Sequence, residues 1–207
     1  MQSKKYIYIK RGLDIILGII GMILFCVLSI LFIFPYSFGA NKGKMIYKQR
    51  RLGQNGKYIY IYKFRSMIEN AEEELLKNEI LYLEYISNNY KIDPEKDPRI
   101  TNFGKFIRKT SLDEFPQFIN VLKGELSIVG PRPIVPEELT EYGERKHLFL
   151  KMKPGLTGYW QAYGRSTIPY PERCDLELQY IEDMSMYTDI KIIVQTIKSV
   201  LLQKGAY

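Results

Sequence analysis

IILGIIGMILFCVLSILFIFPYSF, at residues 15–38, is apolar almost throughout, and the 27 residues from 15 to 41 contain no Asp, Glu, Lys or Arg. About 20 apolar residues are enough for a helix to cross the hydrocarbon core of a bilayer. The run is too long for the core of a signal peptide, and no small-residue cleavage site follows it. We therefore expect residues 15–38 to form a membrane-inserted helix.

Both flanks of this apolar run are basic. Four bases precede it and five follow it: Lys4, Lys5, Lys10 and Arg11, then Lys42, Lys44, Lys48, Arg50 and Arg51. A helix that spans a membrane is usually basic on its cytoplasmic side only. A re-entrant helix that enters and leaves on the cytoplasmic face would explain two basic flanks. The flank charges alone leave the re-entrant and the spanning topology open.

The composition of the 207-residue chain narrows the classes of function. A formal net charge of +7 favours anionic partners, which include nucleic acid, acidic lipid headgroups and phosphorylated small molecules. The long apolar run argues against a nucleic-acid binder. Cys26 and Cys174 form neither a disulfide framework nor a metal-site spacing. His147 is the single histidine, which argues against histidine acid–base catalysis, and the lack of a GxxxxGK[ST] loop argues against ordinary ATP chemistry.

Local patterns beyond residue 41 predict a small, mostly helical α+β domain. The patterns predict strands at 58–64 and 125–129, helices at 69–90, 101–109, 112–122 and 189–203, and loops at 93–99 and 154–165. The last helix carries an apolar stripe that could pack on the core or lie in the membrane interface. We expect residues 1–40 to form the membrane-inserted part and residues 41–207 a globular domain continuous with it.

Two adjacent acids, Asp113 and Glu114, open the predicted helix at 112–122. Ser111 and Glu114 have the spacing of a capping box, so Glu114 could serve only as a cap. Asp113 suits a first helical turn, where the helix dipole favours acids. The two carboxylates could instead hold a divalent cation with a diphosphate, or one could attack phosphorus. The spacing alone leaves the structural and catalytic interpretations open.

Several bases lie in short segments marked by glycine or proline. Arg132 is presented by the rigid turn Gly-Pro-Arg-Pro at 130–133, and an arginine side chain forks onto phosphate oxygens. The other bases of this kind are Lys63, Arg65, Arg108, Lys109 and Arg165. Taken alone, each is better explained as a surface charge than as a phosphate ligand.

Four sequence blocks, taken together, resemble a known family. They are KRGLDIILG at 10–18, YKFRSM at 62–67, RKTSLDEFPQFINVLKGELSIVGPRP at 108–133 and KPGLTGYWQAYGR at 153–165. The chain is similar to the monotopic bacterial sugar transferases, also called polyprenyl-phosphate phosphoglycosyl transferases. The similarity covers nearly the whole chain, and the third block is highly specific. The chain resembles the catalytic core of this family, without the multi-helix amino-terminal region that some relatives carry.

The resemblance implies an enzyme at the cytoplasmic face of the bacterial plasma membrane. It would have a re-entrant membrane helix, interfacial amphipathic helices and a cytoplasmic catalytic domain. Its partners would be a UDP-sugar, polyprenyl (undecaprenyl) phosphate and the lipid membrane, with a homodimer possible and no nucleic acid. The reaction would be Mg²⁺-dependent transfer of a sugar 1-phosphate to the polyprenyl phosphate, with release of UMP.

The resemblance also implies roles for individual residues. Asp113 would be the nucleophile that forms a phosphosugar-aspartyl intermediate, and Glu114 would assist as a metal ligand or base. The phosphate-binding residues would be Arg132, Lys63, Arg65, Arg108 and Arg165.

One departure from the family concerns the membrane helix, which usually breaks at a Ser-Pro pair near its middle. Cys26 and Val27 stand there in this chain, and the nearest proline is Pro35. A bend must therefore come from elsewhere, such as Gly21 or Ser29, or be absent.

Segment 68–97 resembles the branch that starts capsule or exopolysaccharide units with a hexose phosphate, often galactose or glucose, and leaves the specific sugar open. The alternative function is a non-catalytic membrane-anchored subunit that regulates polysaccharide assembly.

Overall fold

The computed structural model of the chain describes residues 3–88, 92–164 and 168–202. The α-helices in this part of the chain are α1 (Lys4–Ser37), α2 (Ala71–Lys77), α3 (Glu79–Ser87), α4 (Asn102–Lys109), α5 (Phe118–Lys123), α6 (Lys146–Lys151), α7 (Tyr159–Tyr163), α8 (Glu172–Asp183) and α9 (Met186–Leu201). The strands are β1 (Ile46–Leu52), β2 (Tyr58–Phe64), β3 (Ser127–Val129) and β4 (Gly155–Thr157). Four 3₁₀ helices occupy Gly39–Asn41, Gln54–Gly56, Leu112–Gln117 and Pro136–Arg145 within the described residues. The predicted α+β, mostly helical class is confirmed.

The predicted membrane segment lies within α1, a single helix of 34 residues. Ser3 begins it, because its Oγ accepts a hydrogen bond from the backbone N–H of Tyr6 at 3.2 Å. The helix is long and apolar enough to cross a membrane by its length and composition. Many of its apolar side chains are more than half exposed, among them Ile16, Ile23, Ile30, Leu31 and Phe34. Such a surface suits lipid better than water.

The first part of α1 is bound to the globular domain by polar contacts. The carboxylate of Asp14 accepts hydrogen bonds from Ser127 Oγ at 2.9 Å and from the backbone N–H of Ile128 at 2.8 Å. Arg11 donates to the backbone carbonyls of Val121 and Leu122, each at 2.8 Å, and so satisfies carbonyls at the end of α5. The polar residues before the apolar run are therefore part of the domain.

Glycines bring the middle of α1 close to α5. A Cβ atom on Gly21 would lie 2.3 Å from the ring of Phe118, and one on Gly18 would lie 2.8 Å from Leu122. A larger residue at either position would force the Phe118 or Leu122 side chain, or the helix itself, to shift. The two glycines therefore allow α1 and α5 to approach this closely.

The far end of α1 contacts the same domain. Phe32 and Tyr36 are buried with Phe64 and Ile107 in one apolar cluster, and the ring of Phe32 lies 4.9 Å from that of Phe103. Between Asp14 and Phe32 the helix rises about 27 Å, since each residue adds about 1.5 Å. Helix α1 thus lies along the domain and does not project away from it.

Two small sheets position the residues of the candidate site. Strands β1 and β2 form an antiparallel hairpin in which Ile46 pairs with Phe64 and Leu52 with Tyr58. Strands β3 and β4 pair in parallel, with Ser127 opposite Gly155. The predicted strand at 58–64 is confirmed, and the strand predicted at 125–129 is present as Ser127–Val129.

Four predicted elements differ from the structure. One is the helix predicted at 112–122, which is a 3₁₀ helix as far as Gln117 and becomes α5 at Phe118. The helix predicted at 69–90 is divided into α2 and α3 at Asn78. The Asn78 side chain accepts a hydrogen bond from the backbone N–H of Leu81 and so caps the start of α3. Residues 89–90 of the predicted helix lie outside the described part of the chain. The loop predicted at 154–165 contains β4 and α7. The helix predicted at 189–203 begins earlier, at Met186, because Ser185 Oγ caps the backbone N–H of Thr188 at 3.1 Å.

The stripe predicted on α9 consists of Ile190, Ile193, Val194, Ile197 and Leu201, and of these only Ile193 packs against the core. Ile192 and Ser199 face inward, whereas Ile190, Val194, Ile197 and Leu201 are exposed. The core interpretation of this stripe is therefore wrong for these four side chains. An exposed apolar stripe on an amphipathic helix is typical of a helix that lies in a membrane interface.

Candidate active site

Three elements bring acids and bases together at one cleft, which Glu114 lines and beside which Asp113 is buried. The 3₁₀ helix Leu112–Gln117 carries Asp113 and Glu114, strand β2 carries Lys63, and the turn after β3 carries Arg132. The residues that line the cleft are Ile61, Lys63, Glu114, Gln117, Arg132, Pro133, Gly155, Leu156 and Gln161. The second, third and fourth of the four sequence blocks therefore meet at one place.

The acids are not presented by the predicted capping box. Ser111 has φ 57° and ψ 18°, in the left-handed region, and its side chain makes no capping hydrogen bond. The chain turns sharply here because α4 has just ended at Lys109, and a 3₁₀ helix follows in place of an α-helix. The prediction that Glu114 caps an α-helix is therefore wrong, and its side chain points instead toward Lys63.

Lys63 lies between the two carboxylates. Its Nζ is 2.9 Å from Glu114 Oε1 and 3.9 Å from Asp113 Oδ2. Lys63 shares the inner face of the hairpin with Ile61, because alternate residues of a strand face the same side, and Ile61 is buried in the core. Arg132 approaches from the other side, with Nη1 3.8 Å from Glu114 Oε1. The acids are thus surrounded by cations.

Asp113 is buried, and this changes its acidity. Burial is the largest influence and raises the pKa of the Asp113 carboxyl. The positive charges of Lys63, Arg108 and Arg132 lower this pKa, and the negative charge of Glu114 raises it. The resulting pKa of Asp113 is about 6. A carboxyl with this pKa is mostly ionised at neutral pH and poorly solvated. These are the properties of a carboxylate nucleophile or general base.

Arg108 lies behind the acids. Its Nε donates to Ser66 Oγ at 2.7 Å. Burial lowers the pKa of the Arg108 guanidinium, and the negative charges of Asp113 and Asp97 partly offset this lowering. The Arg108 charge favours the ionised form of Asp113. Arg108 therefore belongs to the electrostatic environment of the candidate nucleophile.

Arg65 has a structural role and not a place in the cleft. Its guanidinium donates to the backbone carbonyls of Lys44 and Met67, both at 2.7 Å, and also to those of Asn41 and Lys42. These bonds tie the loop after α1 to the end of β2. The prediction that Arg65 binds phosphate does not fit this placement, because its donors already have acceptors. Arg165, also predicted to bind phosphate, lies outside the described residues.

The backbone at Arg132 is held by a residue that sequence reasoning missed. Both carboxylate oxygens of Glu177 accept from the backbone N–H of Arg132, at 3.2 and 3.0 Å. The Arg132 guanidinium lies over the ring of Trp160, 5.3 Å from its centroid. Glu177 is on α8, outside all four sequence blocks, so no motif could have identified it.

Comparison with known proteins agrees with this geometry. A family model described as bacterial sugar transferase matches residues 5–203. The chain belongs to the bacterial sugar transferase family. The resemblance predicted from the four blocks is therefore confirmed.

Curated relatives of the family match almost the whole chain. Undecaprenyl-phosphate galactose phosphotransferase of Salmonella typhimurium is 42% identical over 203 residues, which are 97% of this chain and 42% of that protein. Galactosyl transferase CpsE of Streptococcus agalactiae serotype III is 44% identical over 209 residues, 100% of this chain and 45% of that protein. Exopolysaccharide production protein ExoY of Rhizobium meliloti is 37% identical over 202 residues, 96% of this chain and 88% of that protein. The chain thus spans less than half the length of the first two relatives.

The candidate site fits a divalent cation only together with a substrate. In the described part of the chain, no group of three or more His, Cys, Asp or Glu could hold a metal ion. Asp113 and Glu114 nevertheless supply the carboxylate oxygens that Mg²⁺ prefers, and Mg²⁺ is commonly held by one or two carboxylates plus substrate phosphates. The two acids therefore fit Mg²⁺ if a diphosphate completes the set of ligands.

Proposed function

We propose that this chain transfers a hexose 1-phosphate from a UDP-hexose to undecaprenyl phosphate and releases UMP. The observation that carries the proposal is a buried carboxylate, Asp113, beside a cleft lined by Glu114 and the cations Lys63 and Arg132. The names of the relatives from Salmonella and Streptococcus favour galactose as the sugar. The names of the relatives also favour a role in starting an exopolysaccharide or capsule unit.

The first half of the reaction uses Asp113 as the nucleophile. A carboxylate oxygen of Asp113 attacks the β-phosphorus of the UDP-sugar, and the bond from that phosphorus to the bridging oxygen breaks. The bridging oxygen leaves with UMP, and the phosphosugar stays on Asp113 as an acyl phosphate. Burial suits this role because it removes water that would solvate the attacking charge, while Lys63 and Arg108 keep the carboxylate ionised.

The cations of the cleft stabilise the charge of the phosphoryl group. Phosphoryl transfer is catalysed largely by positioning and by electrostatic stabilisation of the phosphoryl oxygens. Lys63 and Arg132 reach the cleft with partly exposed side chains. Both cations are paired with Glu114 in this structure. An incoming diphosphate would therefore replace the Glu114 carboxylate as the anion that Lys63 and Arg132 contact.

Glu114 is assigned the assisting role. Its carboxylate together with that of Asp113 would hold Mg²⁺, which when bound would neutralise the charge of the diphosphate. Glu114 also holds the ammonium of Lys63 at 2.9 Å and so fixes it beside Asp113. In the second half of the reaction, a phosphate oxygen of undecaprenyl phosphate attacks the acyl phosphate, forms the lipid diphosphosugar and returns Asp113 to a carboxylate.

The position of α1 supports a site at one membrane surface. The helix contacts the domain near Asp14 and again near Phe32, so both ends lie beside the same globular body. A helix crossing the bilayer would place one of these ends, with the domain it touches, at the opposite side. We propose that α1 enters and returns on the cytoplasmic face, where the chain would meet both a UDP-sugar and the phosphate of its lipid acceptor.

The experiment is a single-turnover assay without acceptor. The detergent-solubilised protein is mixed with UDP-galactose labelled at the β-phosphate, and UDP-glucose is tested in parallel. We expect release of UMP, label on the protein, and transfer of that label to the organic phase when undecaprenyl phosphate is added. UMP release only after the acceptor is present would argue for direct transfer in one complex. Absence of transfer with every UDP-sugar of a panel would favour a non-catalytic subunit.

The matched variants are Asp113→Asn and Asp175→Asn. Asparagine at 113 keeps the shape of the side chain but removes the attacking charge, so label transfer should fall by about 10³ or more. Asp175 is an exposed acid on α8 that pairs with Arg145 at 2.7 Å, and its variant should retain normal transfer. Normal turnover of Asp113→Asn would exclude Asp113 as the nucleophile.

A further inference from the structure

Glu177 is a fully buried carboxylate that the proposed mechanism does not use. It lies on α8 with no exposed surface, and burial raises its pKa to about 7 against the opposing charge of Arg173. A carboxylate at such a place costs free energy unless it is hydrogen-bonded and paired. Its partners therefore show what the fold gains from it.

The first partner of Glu177 is the main chain of Arg132. The backbone N–H of Arg132 donates to both carboxylate oxygens, at 3.2 and 3.0 Å. This N–H lies three residues after the end of β3, in the turn that carries the Arg132 side chain to the cleft. A hydrogen bond to a charged acceptor is about twice as strong as one between neutral groups. Glu177 thus fixes the backbone from which the Arg132 side chain extends.

The second partner is Arg173, which leads back to the same side chain. Arg173 Nε is 3.9 Å from Glu177 Oε1, and its guanidinium is 4.4 Å from the centroid of the Trp160 ring. The Arg132 guanidinium packs on that ring too, at 5.3 Å. Trp160 is further held by its Nε1, which donates to the backbone carbonyl of Ile168 at 3.1 Å. Glu177 therefore acts on both ends of Arg132.

We propose that Glu177 is a positioning residue for Arg132: its carboxylate holds the Arg132 main chain and, through Arg173 and Trp160, the platform for the Arg132 guanidinium. The inference rests on the proposed function, in which Arg132 contacts the phosphates of the UDP-sugar. Glu177 itself does not touch the substrate. Its effect on the reaction should therefore pass entirely through Arg132.

A double-mutant cycle tests this route. Glu177→Gln is made in the wild-type chain and in Arg132→Ala, and kcat/KM for the UDP-sugar is measured together with the Kd of UDP by calorimetry. In the wild-type background we expect kcat/KM to fall and Kd to rise by about tenfold, since the acceptor loses its charge and one of its two accepting oxygens becomes an NH2 donor facing the Arg132 N–H. In Arg132→Ala the same change should alter both by less than about twofold, because the positioned side chain is gone.

The control is Asp175→Asn. Asp175 is an exposed acid on the same helix as Glu177 and pairs with Arg145 at 2.7 Å; in the described structure no hydrogen bond or salt bridge joins it to Arg132, Arg173 or Trp160. It reports the general effect of removing an acid from α8. We expect its effect on Kd to be the same in both backgrounds, whatever its effect on thermal stability.

The outcomes separate the inference from the proposed function. If the wild-type chain fails to transfer phosphosugar, the proposed function is wrong. If the wild-type chain is active and Glu177→Gln weakens UDP binding equally with and without the Arg132 side chain, the positioning role is wrong. If Glu177→Gln does not fold, Glu177→Asp takes its place, because aspartate keeps the charge but withdraws it by about 1.5 Å. The effect of Glu177→Asp on UDP binding should likewise depend on the Arg132 side chain. Equal effects of Glu177→Asp in both backgrounds would overturn the inference.

Discussion

Replacing Lys63 by glutamine should move the pH dependence of the first half-reaction. As the proposed nucleophile, Asp113 must be ionised to attack phosphorus, and its pKa of about 6 gives roughly 90% ionisation at pH 7 and roughly 9% at pH 5. The rate of UMP release in the wild-type chain should therefore rise about tenfold between pH 5 and pH 7 and then level off. The direction follows because only the deprotonated form is the nucleophile.

The size of the change in the variant follows from one distance. Lys63 Nζ lies 3.9 Å from Asp113 Oδ2. At that distance the attraction between unit charges is about 1 kcal/mol in bulk water and about 4 kcal/mol at an effective dielectric constant of about 20. Since about 1.4 kcal/mol corresponds to one pKa unit, loss of the ammonium should raise the midpoint of the profile by about one to three pH units.

Rapid-quench measurement of UMP release between pH 5 and 9, without acceptor, gives the midpoint. Loss of Lys63 also weakens phosphate binding, but that effect lowers the plateau and leaves the midpoint unchanged when the UDP-sugar is saturating. Lys77→Gln is the control, because Lys77 is an exposed lysine of α2 paired with acids of its own helix. A midpoint in Lys63→Gln that equals the wild-type value, or lies below it, would refute the assignment of Asp113 as a carboxylate ionised with the help of Lys63.

Four further results are expected. EDTA should stop turnover and added Mg²⁺ should restore it, whereas full activity in EDTA would remove the metal from the mechanism. Single cysteines at Ser3 and Asn41, in a chain without its native cysteines, should react with an impermeant maleimide only after spheroplasts are lysed; labelling of one site in intact cells would show a spanning helix. Gly21→Leu should destabilise the protein by about 1–3 kcal/mol or more, because a side chain there overlaps α5, with thermal unfolding in detergent as the measurement. Arg65→Gln should lower the unfolding temperature while leaving the KM for the UDP-sugar within about twofold, and a large rise in KM without loss of stability would return Arg65 to the phosphate-binding set.

The sequence predicts most reliably those features that depend on residues close together in the chain. The long apolar run predicts α1, and the alternating pattern at 58–64 predicts β2, because each pattern reports directly which face of an element is buried. The end of α5 at Gly124 was predictable for the same kind of reason, since this glycine has φ 79° and only glycine adopts such a conformation easily. The family resemblance adds the acids and Arg132.

Features that depend on distant residues could not be predicted in this way. Ser111 fits a helix cap by its type and spacing, but the sharp turn after α4 places it in the left-handed region. Arg65 looks like a phosphate ligand until the loop carbonyls around it are known. Glu177 reaches Arg132 across 45 residues of sequence, and nothing in the chain near either residue indicates this contact.

The close packing of α1 on α5 has a consequence for how the enzyme would work in membranes of different thickness. Helix α5 continues directly from the 3₁₀ helix that carries Asp113, with Gln117 followed at once by Phe118. Phe118 in turn meets α1 at Gly21, where an added Cβ atom would lie 2.3 Å from its ring. The proposed nucleophile is therefore attached to the membrane segment by a short, closely packed connection. If α1 settles deeper or shallower in the bilayer, Asp113 must move by the same amount relative to the layer of lipid phosphates. The phosphate of the polyprenyl acceptor is confined to that layer, so bilayers made from lipids of graded chain length should change the rate of the second half-reaction while leaving the release of UMP unaffected.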